Sequence, residues 1–109
     1  MVEDIGILNP AFHRVIGEEG TDFHGFIVID ELVSGRGTGG IRFTDDLTLG
    51  EIARLALEMT LKLAFLRMSS GGAKAGLLMA ANASTEQRKA LSIRLGESIG
   101  ELIRNGQYV

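Results

Sequence analysis

Residues 48–80 read TLGEIARLALEMTLKLAFLRMSSGGAKAGLLMA, and the way this stretch divides decides the fold. Thr48-Leu-Gly-Glu51 has the form of a capping box, in which the threonine accepts from the third helical N–H and the glutamate reaches back to the cap. A helix is therefore expected from about Leu49 to Arg67. Its first half carries Glu51, Arg54 and Glu58. Its second half, Met59 to Leu66, is apolar almost all round apart from Lys62, which predicts burial on most sides. Glycine and serine dominate Ser69 to Ala75, so that run reads as a loop. Gly76-Leu-Leu-Met-Ala80 then reads as a strand.

Working outward from this helix–loop–strand unit, Phe12–Gly17 and Phe23–Glu31 read as strands. The second is β-branched and aromatic enough to lie centrally in a sheet. Gly20, Thr21 and Asp22 supply a turn between them, which predicts an antiparallel pair. Ser34–Gly40 is a loop by composition, and Ile41-Arg-Phe43 is a short strand. On the far side, Ser84 with Gln87 three residues later caps a second helix, which Asn105-Gly106 closes. Strands and helices alternate beyond the first pair. The expected class is α/β, a three-layer α/β/α arrangement on a small mixed, partly parallel sheet, in one domain over residues 1–109.

At 109 residues with 45% hydrophobic content, the chain can build one core and one domain. A net charge of −3, with both signs interspersed, disfavours nucleic acid, whose phosphates call for a basic patch. No apolar run is long enough to span a bilayer, and the expected setting is a soluble domain in the cytoplasm. Cysteine is absent, which removes disulfides, thiolate metal sites and cysteine nucleophiles; His13 and His24 are too few for most metal sites. Glycine occurs 15 times, roughly twice the usual share of about 7%, and clusters at Gly35–Gly40 and Gly71–Gly76.

Gly35-Arg-Gly-Thr-Gly-Gly40 matches G-x-G-x-x-G and follows a strand. A dinucleotide loop must also start a helix, so that the helix N-terminus meets the pyrophosphate. Here the strand-like Ile41-Arg-Phe43 follows instead, and no cofactor is assigned to this loop. The two unusual lysines carry more weight. Lys62 lies in the apolar half of the first helix, where Glu58 four residues earlier offers an ordinary ion pair. Lys74 lies within Gly71-Gly-Ala-Lys-Ala-Gly76; it reads either as a solvated loop lysine or as a base or proton donor that glycines leave open to a substrate.

Gly39-Gly-Ile-Arg-Phe43, Met59-Thr-Leu-Lys62 and Gly71-Gly-Ala-Lys-Ala-Gly76, in this order and at these separations, resemble the N-terminal dimerisation and substrate domain of the glutamate/leucine/phenylalanine/valine dehydrogenase family. The resemblance runs from about Phe12 to Val109. It implies oxidative deamination of an L-amino acid to a 2-oxo acid and ammonia, with hydride passing to NAD or NADP. It implies further that Lys74 is the catalytic lysine, working with a bound water, and that Lys62 holds the substrate α-carboxylate. Met59 and the backbone of Gly39 and Gly40 would line the same site. Glutamate-specific members carry a lysine where this chain has Thr38, which implies a smaller or apolar substrate side chain.

Met68-Ser-Ser70 also departs from the Leu-Pro and bulky apolar residue common in the family. The family's catalytic aspartate would fall a few residues past Val109, and the cofactor domain beyond it. The expectation is thus a substrate-binding and assembly domain without its cofactor partner, inactive alone and binding no NAD(P) itself. A homo-oligomer is expected through this domain. The alternative is a non-catalytic oligomerisation module of the same fold.

Overall fold

The computed structural model describes residues 8–18 and 20–109; residues 1–7 and Glu19, which belong to the expected 1–109 domain, lie outside the described residues. Two strands open the fold, β1 (Phe12–Gly17) and β2 (His24–Ile29), paired antiparallel from Phe12 opposite Ile29 to Gly17 opposite His24. The turn between them uses Gly20 at φ +83°, a left-handed conformation that glycine adopts without steric cost. The Thr21 hydroxyl helps to close the turn by donating to the Glu18 carbonyl at 2.6 Å.

Two short strands follow, β3 (Gly37–Thr38) and β4 (Ile41–Thr44). Helix α1 (Leu49–Phe65) then crosses to β5 (Gly71–Leu78), and α2 (Thr85–Arg104) completes the fold. Strand β5 is the hub of the sheet. It pairs antiparallel with β2 on one edge and parallel with β3 and β4 on the other. Gly37 lies opposite Gly71 and Ile41 opposite Ala75, so β3 and β4 keep one register and form a single edge strand interrupted at Gly39–Gly40. The sheet is mixed and has helices on both faces, as expected.

The central strand corrects the sequence reading. Gly71–Ala75, expected as a loop, is the first part of β5. Glycine weakens a strand by its own propensity, but here close packing against a helix demands it. Ala73, Ala75 and Leu77 share one core with Leu95, Ile99 and Leu102 of α2. Gly72 and Gly76 face the other way, toward α1. A Cβ at Gly72 would sit 2.2 Å from the Ala56 carbonyl oxygen and 2.3 Å from the Thr60 nitrogen, so only glycine lets α1 lie this close. The second core lies on that side, formed by Phe26 and Val28 of β2 with Leu47, Leu49, Ile52, Ala53 and Ala56.

Helix α1 buries Leu49, Ile52, Ala53, Ala56, Thr60 and Leu63, a stripe at helical spacing. Thr48 caps it by accepting from the Glu51 N–H at 3.1 Å. Its second half is not buried on most sides: Leu61, Phe65 and Leu66 are exposed, Phe65 at 85%. One helix packed on one sheet face can bury only one stripe, whatever the remaining positions hold. At α2 the full capping box forms, with Ser84 and Gln87 bonding reciprocally at 3.1 and 2.8 Å. Gly106 at φ +79° ends that helix.

Candidate functional site

Every second residue of a strand points to the same side, so Gly72, Lys74 and Gly76 all face the α1 layer. Lys74 is half-buried and flanked on its own face by two glycines that take up no room. Its amine extends across the edge strand, where a Cβ on Gly40 would lie 3.5 Å from Lys74 Nζ. Gly40 itself is exposed, so the amine lies where the sheet edge meets solvent. Lys74 pairs with Val28 of β2 on one edge of the strand, and on the other edge it lies between the Gly72 and Ala75 pairings, beside the Gly39–Gly40 interruption.

Gly39 is needed for a different reason. Its Cα faces the Ala73 carbonyl so closely that any side chain would collide with the strand. Gly39 and Gly40 therefore offer bare backbone next to Lys74. Thr38 lies opposite Gly72 on the same side, and its hydroxyl shares a 2.5 Å hydrogen bond with that of Ser70. The group at this position is neutral and already engaged. Thr38, Gly39, Gly40 and Lys74 thus converge at one stretch of the sheet edge.

The helix supplies the remaining two expected residues. Met59 is half-buried, and Lys62 is exposed in the last turn of α1, three residues along the same flank. Glu58 is exposed as well, so any pairing with Lys62 is a surface one. The structure groups Met59 with Lys62 on α1 and the other four residues on the sheet.

Two contributors were not singled out from sequence. The Thr60 hydroxyl, on buried Thr60, accepts from the Gly72 N–H at 2.8 Å and donates to the Ala56 carbonyl at 3.3 Å, which bolts α1 to the start of β5. The only signal for it is a polar residue one turn after Ala56 on the buried stripe. Tyr108 is buried and its hydroxyl donates to the Gly40 carbonyl at 2.8 Å. Nothing in the local sequence marks it, because the partner is 68 positions away.

Gly35–Gly40, the glycine motif, runs directly into β4, and no helix begins there. A pyrophosphate would meet no helix N-terminus at this loop. The described residues include no cluster of His, Asp or Glu able to hold a metal ion, and no helix long and apolar enough to cross a membrane.

A mixed sheet with a helix on each face defines an α/β domain, and Lys74 stands among glycines on its central strand. The family model for the Glu/Leu/Phe/Val dehydrogenase dimerisation domain matches residues 12–108, and the chain belongs to that family. An NADP-specific glutamate dehydrogenase of Synechocystis is 39% identical over 57 residues, which cover 52% of this chain and 13% of that protein. Among solved structures, the hetero-hexameric glutamate dehydrogenase of Thermus thermophilus, in a leucine-bound form, superposes with a TM-score of 0.79 at 28% identity. That match covers 92% of this chain and 26% of the other. L-tryptophan dehydrogenase of Nostoc punctiforme shares the fold, with a TM-score of 0.75 at 22% identity over 94% of this chain and 30% of that one. The chain thus spans about a quarter of the Thermus enzyme and a smaller share of the Synechocystis protein.

Proposed function

We propose that this domain is the substrate-binding and assembly half of an NAD(P)-dependent amino-acid dehydrogenase whose substrate carries a non-acidic side chain. The observation that carries the reading is the Lys74 amine lying over the bare backbone of Gly40, in a chain of this family. An amine on a flexible stem beside an uncovered backbone can take a proton from water attacking an imino carbon, or return one to it. The glycines let that carbon come close. Lys62 serves as the cation for the α-carboxylate, with Met59 beside it lining the pocket. Two lysines can divide this chemistry, one neutralising the carboxylate while the other exchanges a proton. The Gly35–Gly40 loop does not fit a dinucleotide, so no residue of this domain is assigned to NAD(P).

Thr38 supports the non-acidic substrate. Its neutral hydroxyl is committed to Ser70 and offers no charge to a second carboxylate. The exposed Leu61, Phe65, Leu66 and Met68 at the end of α1 support the assembly role, because several large apolar side chains exposed close together in sequence suit a surface that another chain covers.

The reading is tested in the enzyme that carries this domain. Lys74→Ala should lower kcat by at least about 10²-fold, the size of a lost general acid or base. Lys62→Ala should raise KM more than it lowers kcat, since a carboxylate is held in both the ground and transition states. If Lys62→Ala leaves both constants unchanged, Lys62 is only the surface partner of Glu58.

A further inference from the structure

Tyr108 is the only tyrosine of the chain, and there is no tryptophan. It belongs to the α2-side core, yet its hydroxyl crosses to the Gly40 carbonyl at 2.8 Å. The same carbonyl accepts the Ala75 N–H at 3.2 Å. The neighbours of Tyr108 hold the adjoining backbone. Gly37 N–H donates to the Gln107 carbonyl at 2.8 Å, Val109 N–H to the Gly37 carbonyl at 2.8 Å, and Gly39 N–H to the Val109 carbonyl at 3.3 Å. Residues 107–109 therefore run along the outer edge of β3 as a strip of added sheet, ending at the Gly39–Gly40 interruption.

A Gly-Gly link in an edge strand has the widest conformational freedom of any dipeptide. Here it is pinned from two directions, by Val109 on the Gly39 N–H and by Tyr108 with Ala75 on the Gly40 carbonyl. The Lys74 amine lies over the pinned segment. A phenylalanine at 108 would fill the same core volume, so the packing needs only the ring. The hydroxyl has one task, and it is aimed at the link.

We propose that Tyr108 is a positioning residue whose hydroxyl latches the Gly39–Gly40 backbone beside the Lys74 amine, so that this wall of the site is formed before substrate arrives. The inference rests on the substrate reading above only in calling that wall part of a substrate site; the latch itself rests on geometry. Burial raises the Tyr108 pKa well above the ordinary tyrosine value, so the hydroxyl keeps its proton where an exposed tyrosine would lose it.

The test compares the unaltered chain with Tyr108→Phe by amide hydrogen exchange and by titration with 2-oxoisocaproate, a 2-oxo acid with an apolar side chain. The ring is retained, so amides of β2 should exchange alike in both chains. Gly39 and Ala75 should exchange about tenfold faster in the variant, the scale of one lost hydrogen bond. The acid should bind the variant several-fold more weakly.

Equal protection of Gly39 and Ala75 in both chains would overturn the latch, as would a loss of protection spread evenly over the sheet. Equal affinity for the acid would overturn its role in positioning. If neither chain binds the acid while the exchange contrast holds, the substrate reading fails and the latch stands.

Discussion

Lys74 and Lys62 are only twelve positions apart, but they stand in surroundings of opposite kinds. Lys74 is on the central strand, with Val28 as its ladder partner on one edge, a helix against its face and a latched glycine link beneath its amine. Lys62 is on the last turn of α1, exposed, among Leu61, Phe65 and Leu66, which are exposed too. Around Lys74 the chain supplies its own neighbours and fixes the geometry. Around Lys62 the described chain leaves apolar surface and charge exposed. Substitutions near the first lysine should therefore act on folding, and substitutions near the second on binding and association.

The largest effect should come from filling the gap between the sheet and α1. Gly72→Ala places a methyl group against the Ala56 carbonyl and the Thr60 backbone, with nowhere for either to move. Overpacking of this kind costs about 1–3 kcal/mol or more, a large part of the roughly 5–15 kcal/mol expected for a domain of this size. Urea denaturation should show a much lower midpoint or no cooperative transition. A midpoint equal to that of the unaltered chain would mean that α1 is not held where the structure has it.

A smaller effect should follow from pH. The native state holds the Tyr108 proton more tightly than the unfolded chain does, since burial raises its pKa. Above the ordinary tyrosine value near 10, the unfolded chain binds fewer protons, so stability must fall as pH rises. Below that value Tyr108 makes no pH-dependent contribution. Denaturation midpoints should therefore decline above about pH 10 in the unaltered chain and less steeply in Tyr108→Phe. Parallel declines in the two chains would break the contrast, because other groups would then account for the loss.

The smallest change in stability should belong to the exposed end of α1. Phe65→Ser removes a ring that is 85% exposed, so stability should shift by no more than about 0.5 kcal/mol. The mass measured by light scattering should fall toward the monomer, because the ring is the most exposed part of the apolar patch. Unchanged association would move the docking surface elsewhere.

Much of this was legible from sequence where a local rule governs. The Ser84 capping box, the Gly20 turn and the Gly106 stop follow from residues acting on their own neighbourhood, and they appear as read. At Thr48 the hydroxyl caps the helix, but the expected return bond from Glu51 does not form. Gly71–Ala75 reads as a loop but is strand, because its glycine content reflects a contact 12 to 16 positions upstream of Gly72, with Thr60 and Ala56. Local propensity cannot report a helix lying against a strand. Burial of the second half of α1 was overestimated because an apolar surface says that something should cover it, not that the same chain does. The lysines stood out because charge is rare in such stretches, whereas Tyr108 acts on Gly40 through a long-range bond with no trace in its own neighbours.

The central claim is that the exposed lysine of α1 and the half-buried lysine of β5 serve one carboxylate-bearing ligand. It is tested most directly by titrating the chain with 2-oxoisocaproate and following backbone and lysine NMR signals. In the unaltered chain, saturable shifts should appear at Gly39, Gly40 and Lys74, across the sheet edge from the helix. In Lys62→Ala those shifts should be lost or need about tenfold more ligand, while stability changes by no more than the roughly 0.3–0.5 kcal/mol of a surface ion pair. Shifts at Gly39, Gly40 and Lys74 that persist undiminished in Lys62→Ala would contradict the account, because the two lysines would then not share a site.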